Sequence, residues 1–76
     1  MNKEKLSLES LIFEATKINI ENNVLTITLN RPERKNAINS VMTNEINYAL
    51  AYAKQERSIR VVVLAAEGDI FCAGAD

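Results

Sequence analysis

Two stretches hold the residues best suited to chemistry: GDIFCAGAD at residues 68–76 and RPERKNA at residues 31–37. In the first, Ala73, Gly74, Ala75 and Asp76 make a small-residue turn after an apolar run. Without side-chain bulk, backbone can approach a ligand closely there. Such a turn can aim fixed N–H donors at a developing oxyanion. The alternative is a strand-to-loop turn whose small residues serve packing. In the second stretch, Arg31, Arg34 and Lys35 place three cations within five residues. Clustered cations can hold phosphates or a charged substrate tail. The alternative there is a solvated basic loop beside Glu33.

Other chemistry finds less support. Cys72 is the sole cysteine and the chain has no histidine. A thiol beside Phe71 with no imidazole base reads as a packing residue rather than a nucleophile. Glu67 and Asp76 could serve as acid or base, yet neither has a partner visible in the sequence. The absence of histidine excludes a Cys/His zinc site, and no metal site is expected. Gly68 and Gly74 match neither a phosphate loop nor a GxGxxG pattern. The many asparagines read as compositional bias.

The elements that must position these stretches follow from hydrophobic periodicity. Residues 1–11 form a polar leader with scattered leucines. Residues 12–20 alternate with a phase slip, which predicts a strand bent near Thr16 and Lys17. Asn22 and Asn23 predict a tight turn. Over residues 24–29, Leu25, Ile27 and Leu29 fall on one side of a strand and Val24, Thr26 and Thr28 on the other. Pro32 fixes the loop that follows. A helix is expected from an Asn39 or Ser40 cap to about residue 56, burying Met42, Ile46, Ala49, Leu50 and Ala53. The apolar run over 60–65, with three consecutive valines, predicts a parallel strand buried on both faces. The fold class is α/β, in the order ββαβ, with a right-handed crossover.

With 76 residues, the chain makes at most one thin domain. Nine Lys plus Arg against ten Asp plus Glu argue against nucleic acid or an anionic membrane surface as partner. The longest unbroken apolar runs, such as Val61–Ala66, fall far short of the roughly 20 residues that span a bilayer. No secretory signal is apparent at the N-terminus. A soluble, cytoplasmic protein is expected.

Taken together, TLNRPERKNAIN, an amphipathic helix, and RVVVLAAEGDIFCAGAD resemble the crotonase family, the enoyl-CoA hydratase/isomerase superfamily. The resemblance covers residues 12–76. It implies the start of a superhelix of ββα turns, in proteins that form trimers or trimer pairs (hexamers). It implies an acyl-CoA thioester as substrate, with coenzyme A arriving on the substrate and no separate cofactor. It implies that the Ala75 N–H is one of two oxyanion-hole donors. Main chain at Ala73, Gly74, Ala75 and Asp76 would line the coenzyme A, and Arg34, Lys35 and the backbone of Ala37 would contact it.

The family's second donor and its catalytic carboxylates belong to later segments. The expectation is therefore the N-terminal part of such an enzyme, inactive alone and completed by the rest of the protein or by a complementary chain. Hydratase or isomerase chemistry is the default within the family, and a lyase class goes with the hydratases. A small non-catalytic α/β module that binds coenzyme A or a protein is the competing expectation.

Overall fold

The computed structural model describes Leu8 and residues 12–75. Its elements are β1 (Thr16–Glu21), β2 (Val24–Leu29), a short 3-10 turn (Pro32–Arg34), α1 (Ser40–Gln55) and β3 (Val61–Ala66). This is the expected ββαβ order. The three strands form one sheet in the order β1-β2-β3. β1 and β2 are antiparallel, with Thr16 opposite Leu29 and Glu21 opposite Val24. Asn22 and Asn23 join them with φ of 52° and 69°, the backbone of a tight type I′ hairpin that asparagine tolerates.

β2 and β3 are parallel, with Val24 opposite Val61 and Leu29 opposite Ala66. Asn23 fixes the entry to β3. Its side-chain Nδ2 donates to the Ser58 carbonyl at 2.8 Å, and its own carbonyl accepts from Arg60 N at 2.8 Å. The crossover between these parallel strands is α1. Asn39 caps the helix by accepting from Met42 N at 2.9 Å.

Alternation along β2 sets the core. Leu25, Ile27 and Leu29 are buried, as the period-two pattern requires. Full burial of such a side chain contributes about 1.5–3 kcal/mol. Met42 and Ala49 bring α1 onto that face. Ala15, Leu29 and Met42 form one cluster, and Leu25, Ile27 and Ala49 form a second, on which Leu8 also packs. Of the polar leader expected over 1–11, only Leu8 is described; the rest lies outside the described residues.

Three expectations change. The first strand begins at Thr16 rather than residue 12. The N–H groups of Glu14 and Ala15 donate to the Glu45 carboxylate on α1, at 2.7 and 3.0 Å, and Thr16 Oγ1 joins them at 2.7 Å. That clamp draws the chain from the sheet toward the helix, at the place where the periodicity slips. Leu50, expected in the core, is 44% exposed, because the buried stripe of α1 centres on Met42, Ile46, Ala49 and Ala53 and Leu50 lies at its margin.

The third change concerns β3, expected to be buried on both faces. Val61, Val62, Val63 and Leu64 are each 40–49% exposed. β3 is one of the two edge strands, and α1 packs mainly over β1 and β2.

These contacts rank two substitutions. Glu45→Ala leaves three donors at the start of β1 without their acceptor and should cost about 1–3 kcal/mol. Asn39→Ala removes a helix cap and should cost about 1 kcal/mol. Urea midpoints of the two variants check both values.

Candidate active site

The two loops of chemical interest leave neighbouring strands at the same end of the sheet. Residues 30–39 follow β2, and residues 67–75 follow β3. Because Leu29 and Ala66 are register partners in a parallel pair, both loops start side by side. In open α/β sheets, ligands bind beyond the carboxyl ends of the strands.

The first loop is wound tightly. Pro32 opens the 3-10 turn, and Arg34 N and Lys35 N donate to Arg31 O and Pro32 O at 2.9 and 3.0 Å. Lys35 and Asn36 both have φ of 55°, in the left-handed region. Asparagine enters that region readily, whereas lysine does so at a cost of about 1–2 kcal/mol. Arg31 belongs to the loop's internal structure, since its Nη1 donates to the Ala37 carbonyl. Of the three clustered cations, Arg34 and Lys35 are the exposed pair.

Asn36 is buried at 0% exposure and joins the loops. Its Oδ1 accepts from Arg31 N at 2.7 Å. Its Nδ2 donates to Glu67 O at 2.7 Å and Ile70 O at 2.8 Å. Only one orientation of the amide meets one donor and two carbonyls, so the network fixes its flip. Gly68 permits the close approach. It has φ of 84°, and a Cβ built there would lie 3.0 Å from Pro32 Cβ.

Beyond Asn36 the loops pair by backbone. Ala73 N donates to Lys35 O at 3.0 Å, and Ile38 N donates to Gly74 O at 2.9 Å. Ile38 and Ala75 form an isolated parallel bridge. These bonds account for the turn's donors in sequence. The Ala73 N–H is used, and the Gly74 N–H donates to Cys72 Sγ at 3.4 Å. Among the described residues, nothing accepts from the Ala75 N–H. Its direction is nonetheless fixed. The Gly74–Ala75 peptide is trans and planar, so a carbonyl held toward Ile38 turns the N–H of the same unit the opposite way. Ala75 itself is exposed.

Ala37 is partly buried, while Ala73 and Gly74 are exposed. The φ of Gly74 is 102°, and a Cβ built there would meet nothing within 4 Å, so its glycine answers a backbone demand. Cys72 packs against the first core cluster, in keeping with a packing role. Glu67 pairs with Lys17 at 3.0 Å, with both side chains substantially exposed. Asp76 lies outside the described residues. Among the described residues, no group of three or more His, Cys, Asp or Glu could hold a metal ion, and no helix is long and apolar enough to cross a membrane.

Asn36 shapes the site, and its only sequence signal is a left-handed-tolerant amide after a Pro-initiated turn. Glu45, which shapes the start of β1 rather than the site, has no local signal, because its partners lie about thirty positions away in the chain.

Known proteins share this arrangement. The enoyl-CoA hydratase/isomerase family model matches residues 19–76. The chain is 48% identical over 56 residues to the probable enoyl-CoA hydratase EchA6 of Mycobacterium leprae, covering 70% of this chain and 23% of that protein. It is 36% identical over 64 residues to a trans-2-decenoyl-[acyl-carrier-protein] isomerase of Streptococcus mutans, covering 84% of this chain and 24% of that protein. The crystal structure of an enoyl-CoA hydratase/isomerase from Mycobacterium paratuberculosis superimposes with a TM-score of 0.82 at 34% identity, covering 86% of this chain and 26% of that one. The chain thus spans about a quarter of the length of the relatives it matches. On the loops, the ββαβ order and these matches together, the chain belongs to the enoyl-CoA hydratase/isomerase family, with the fold of the start of a crotonase domain.

Proposed function

We propose that this chain is the N-terminal part of an enzyme acting on acyl-CoA thioesters, in which the Ala75 N–H binds the thioester oxygen as it gains enolate charge. The observation that carries this reading is the Ile38 N–H bond to Gly74 O, which turns an exposed amide away from the loop pair and leaves it without a competing acceptor among the described residues. A donor fixed in advance needs no reorganisation when charge develops, so it stabilises the transition state more than the ground state.

Exposed Arg34 and Lys35 border the same turn, since Lys35 O holds Ala73 N. They are suited to the phosphates of coenzyme A, with backbone at Ala37, Ala73, Gly74 and Asp76 along the bound carrier. Coenzyme A enters as part of the substrate, and the chemistry calls for no resident cofactor or metal. The rest of the protein would supply a second donor and the acid and base, and would cover the exposed faces of β3. Hydration of an enoyl thioester, a lyase reaction of fatty acid metabolism, in a cytoplasmic trimer or hexamer, is the fullest form of this reading.

One relative carries its acyl group on acyl-carrier protein by name, and others on coenzyme A, so the shared group is a pantetheine thioester. The exposed pair Arg34 and Lys35 suits the nucleotide phosphates of coenzyme A, which an acyl-carrier-protein thioester lacks, its pantetheine arm bearing a single phosphodiester.

Three measurements test the proposal. Full-length protein should hydrate or isomerise enoyl-CoA, followed by enoyl-thioester absorbance or product analysis, whereas residues 1–76 alone should show no turnover. Ala75→Pro deletes the donor and should lower kcat about 10²–10³-fold; unchanged kcat would remove Ala75 from the mechanism. Arg34→Ala with Lys35→Ala should raise KM for the CoA thioester about tenfold at low salt, while leaving KM for an N-acetylcysteamine thioester unchanged. A protein acting only on the acyl-carrier-protein thioester would contradict the coenzyme A assignment.

A further inference from the structure

We infer that Asn36 is a positioning residue for the oxyanion donor, setting the direction of the Ala75 N–H through the loop pair without touching substrate. The inference rests on the thioester reading given above. It begins with a buried carboxamide whose hydrogen bonds all go to backbone: Arg31 N on its own loop, and Glu67 O and Ile70 O on the facing loop. The side chain closes the root of the second loop against the first.

From there the loop can reach its end in one register. Asn36 stands between Lys35, whose carbonyl accepts from Ala73 N, and Ile38, whose N–H donates to Gly74 O. Those two inter-loop bonds therefore flank the residue whose side chain fixes the loop's start. Gly74 has open space where a Cβ would be, so no side chain of its own locates the turn. Backbone pairing locates it, and Asn36 fixes the pairing. Releasing Glu67 O and Ile70 O frees the root of the loop while leaving β3 and the core intact. The predicted consequence is a misaimed Ala75 N–H. A misplacement of about 1 Å at a catalytic group can cost on the order of 10²-fold.

Two variants separate aim from folding. Asn36→Asp keeps the shape and one acceptor but turns both donors into an oxygen facing two carbonyls. Asn36→Gly removes the side chain and tolerates φ of 55°. Each is made in the full-length protein and compared with wild type in three readouts: the melting curve, the kcat-against-KM split, and the infrared difference band of the bound thioester carbonyl, isotopically labelled. The expected result is a folded variant with KM within about threefold, kcat lowered about 10²-fold, and a carbonyl band shifted toward the frequency of the free thioester. A general structural role would reduce the band's intensity with the bound fraction and leave its frequency unchanged.

An unshifted frequency in folded variants would overturn the inference. So would loss of folding in both variants, since Asn36 would then support the whole fold rather than the donor's aim. Failure of the underlying reading looks different: the wild-type protein itself would leave the thioester band at its solution frequency. In that case, amide hydrogen exchange at residues 67–75 still reports on Asn36, with faster exchange expected in both variants and no change overturning its control of the loop.

Discussion

The site depends on the parallel register between β2 and β3. With Leu29 opposite Ala66, the chain leaves two neighbouring strands at one level and in one direction. Antiparallel pairing would send the two loops to opposite ends of the sheet, and a shift of one residue would reverse which side chains face α1. Burial of Leu25, Ile27 and Leu29 fixes which face of β2 meets α1. The core thus sets the inner face of the sheet, and the backbone ladder of β2 with β3 sets where the loops leave it. Asn23 reinforces that ladder from the other end of the strands by bonding both Ser58 O and Arg60 N.

Above that register, specificity passes from side chains to backbone. The RPERKNA loop holds itself through the 3-10 turn and the Arg31–Ala37 bond, then presents Lys35 O and Ile38 N to the facing turn. The left-handed φ at Lys35 and Asn36 is what brings those groups round to face it. A strained lysine at such a position is a stability cost retained at a place of interest. Small residues at 73–75 keep the turn open, so the donor is left exposed while its carbonyl partner is secured. The exposed faces of β3 mark the other side of the arrangement: an edge strand with about half-exposed valines is an association hazard unless something covers it.

Much of this was legible in the sequence because it is local. Strict alternation in VLTITL gave β2 and its buried face, paired asparagines gave the hairpin, and Asn39 before an amphipathic run gave the cap. The two loops were legible as motifs because their residue types are unusual at those places. What could not be read is long-range. The Glu45 clamp redirects residues 12–15 from thirty positions away, and it turns an apparent bulged strand into a shorter one. Exposure of β3 depends on which strands α1 covers, which the run of valines alone does not encode. The three bonds of Asn36 link residues up to 34 positions apart, so the amide after the Pro-initiated turn signals a left-handed backbone but not the facing loop that it holds.

The central claim is that the Ala75 amide is the thioester's oxyanion donor. A crystal structure of the full-length protein with a bound acyl-CoA thioester tests it most directly. The thioester oxygen should lie 2.7–3.1 Å from the Ala75 nitrogen, with the Ile38–Gly74 bond retained. A bound thioester whose oxygen is held by other groups, or an Ala75 N–H bonded elsewhere in the protein, would contradict it.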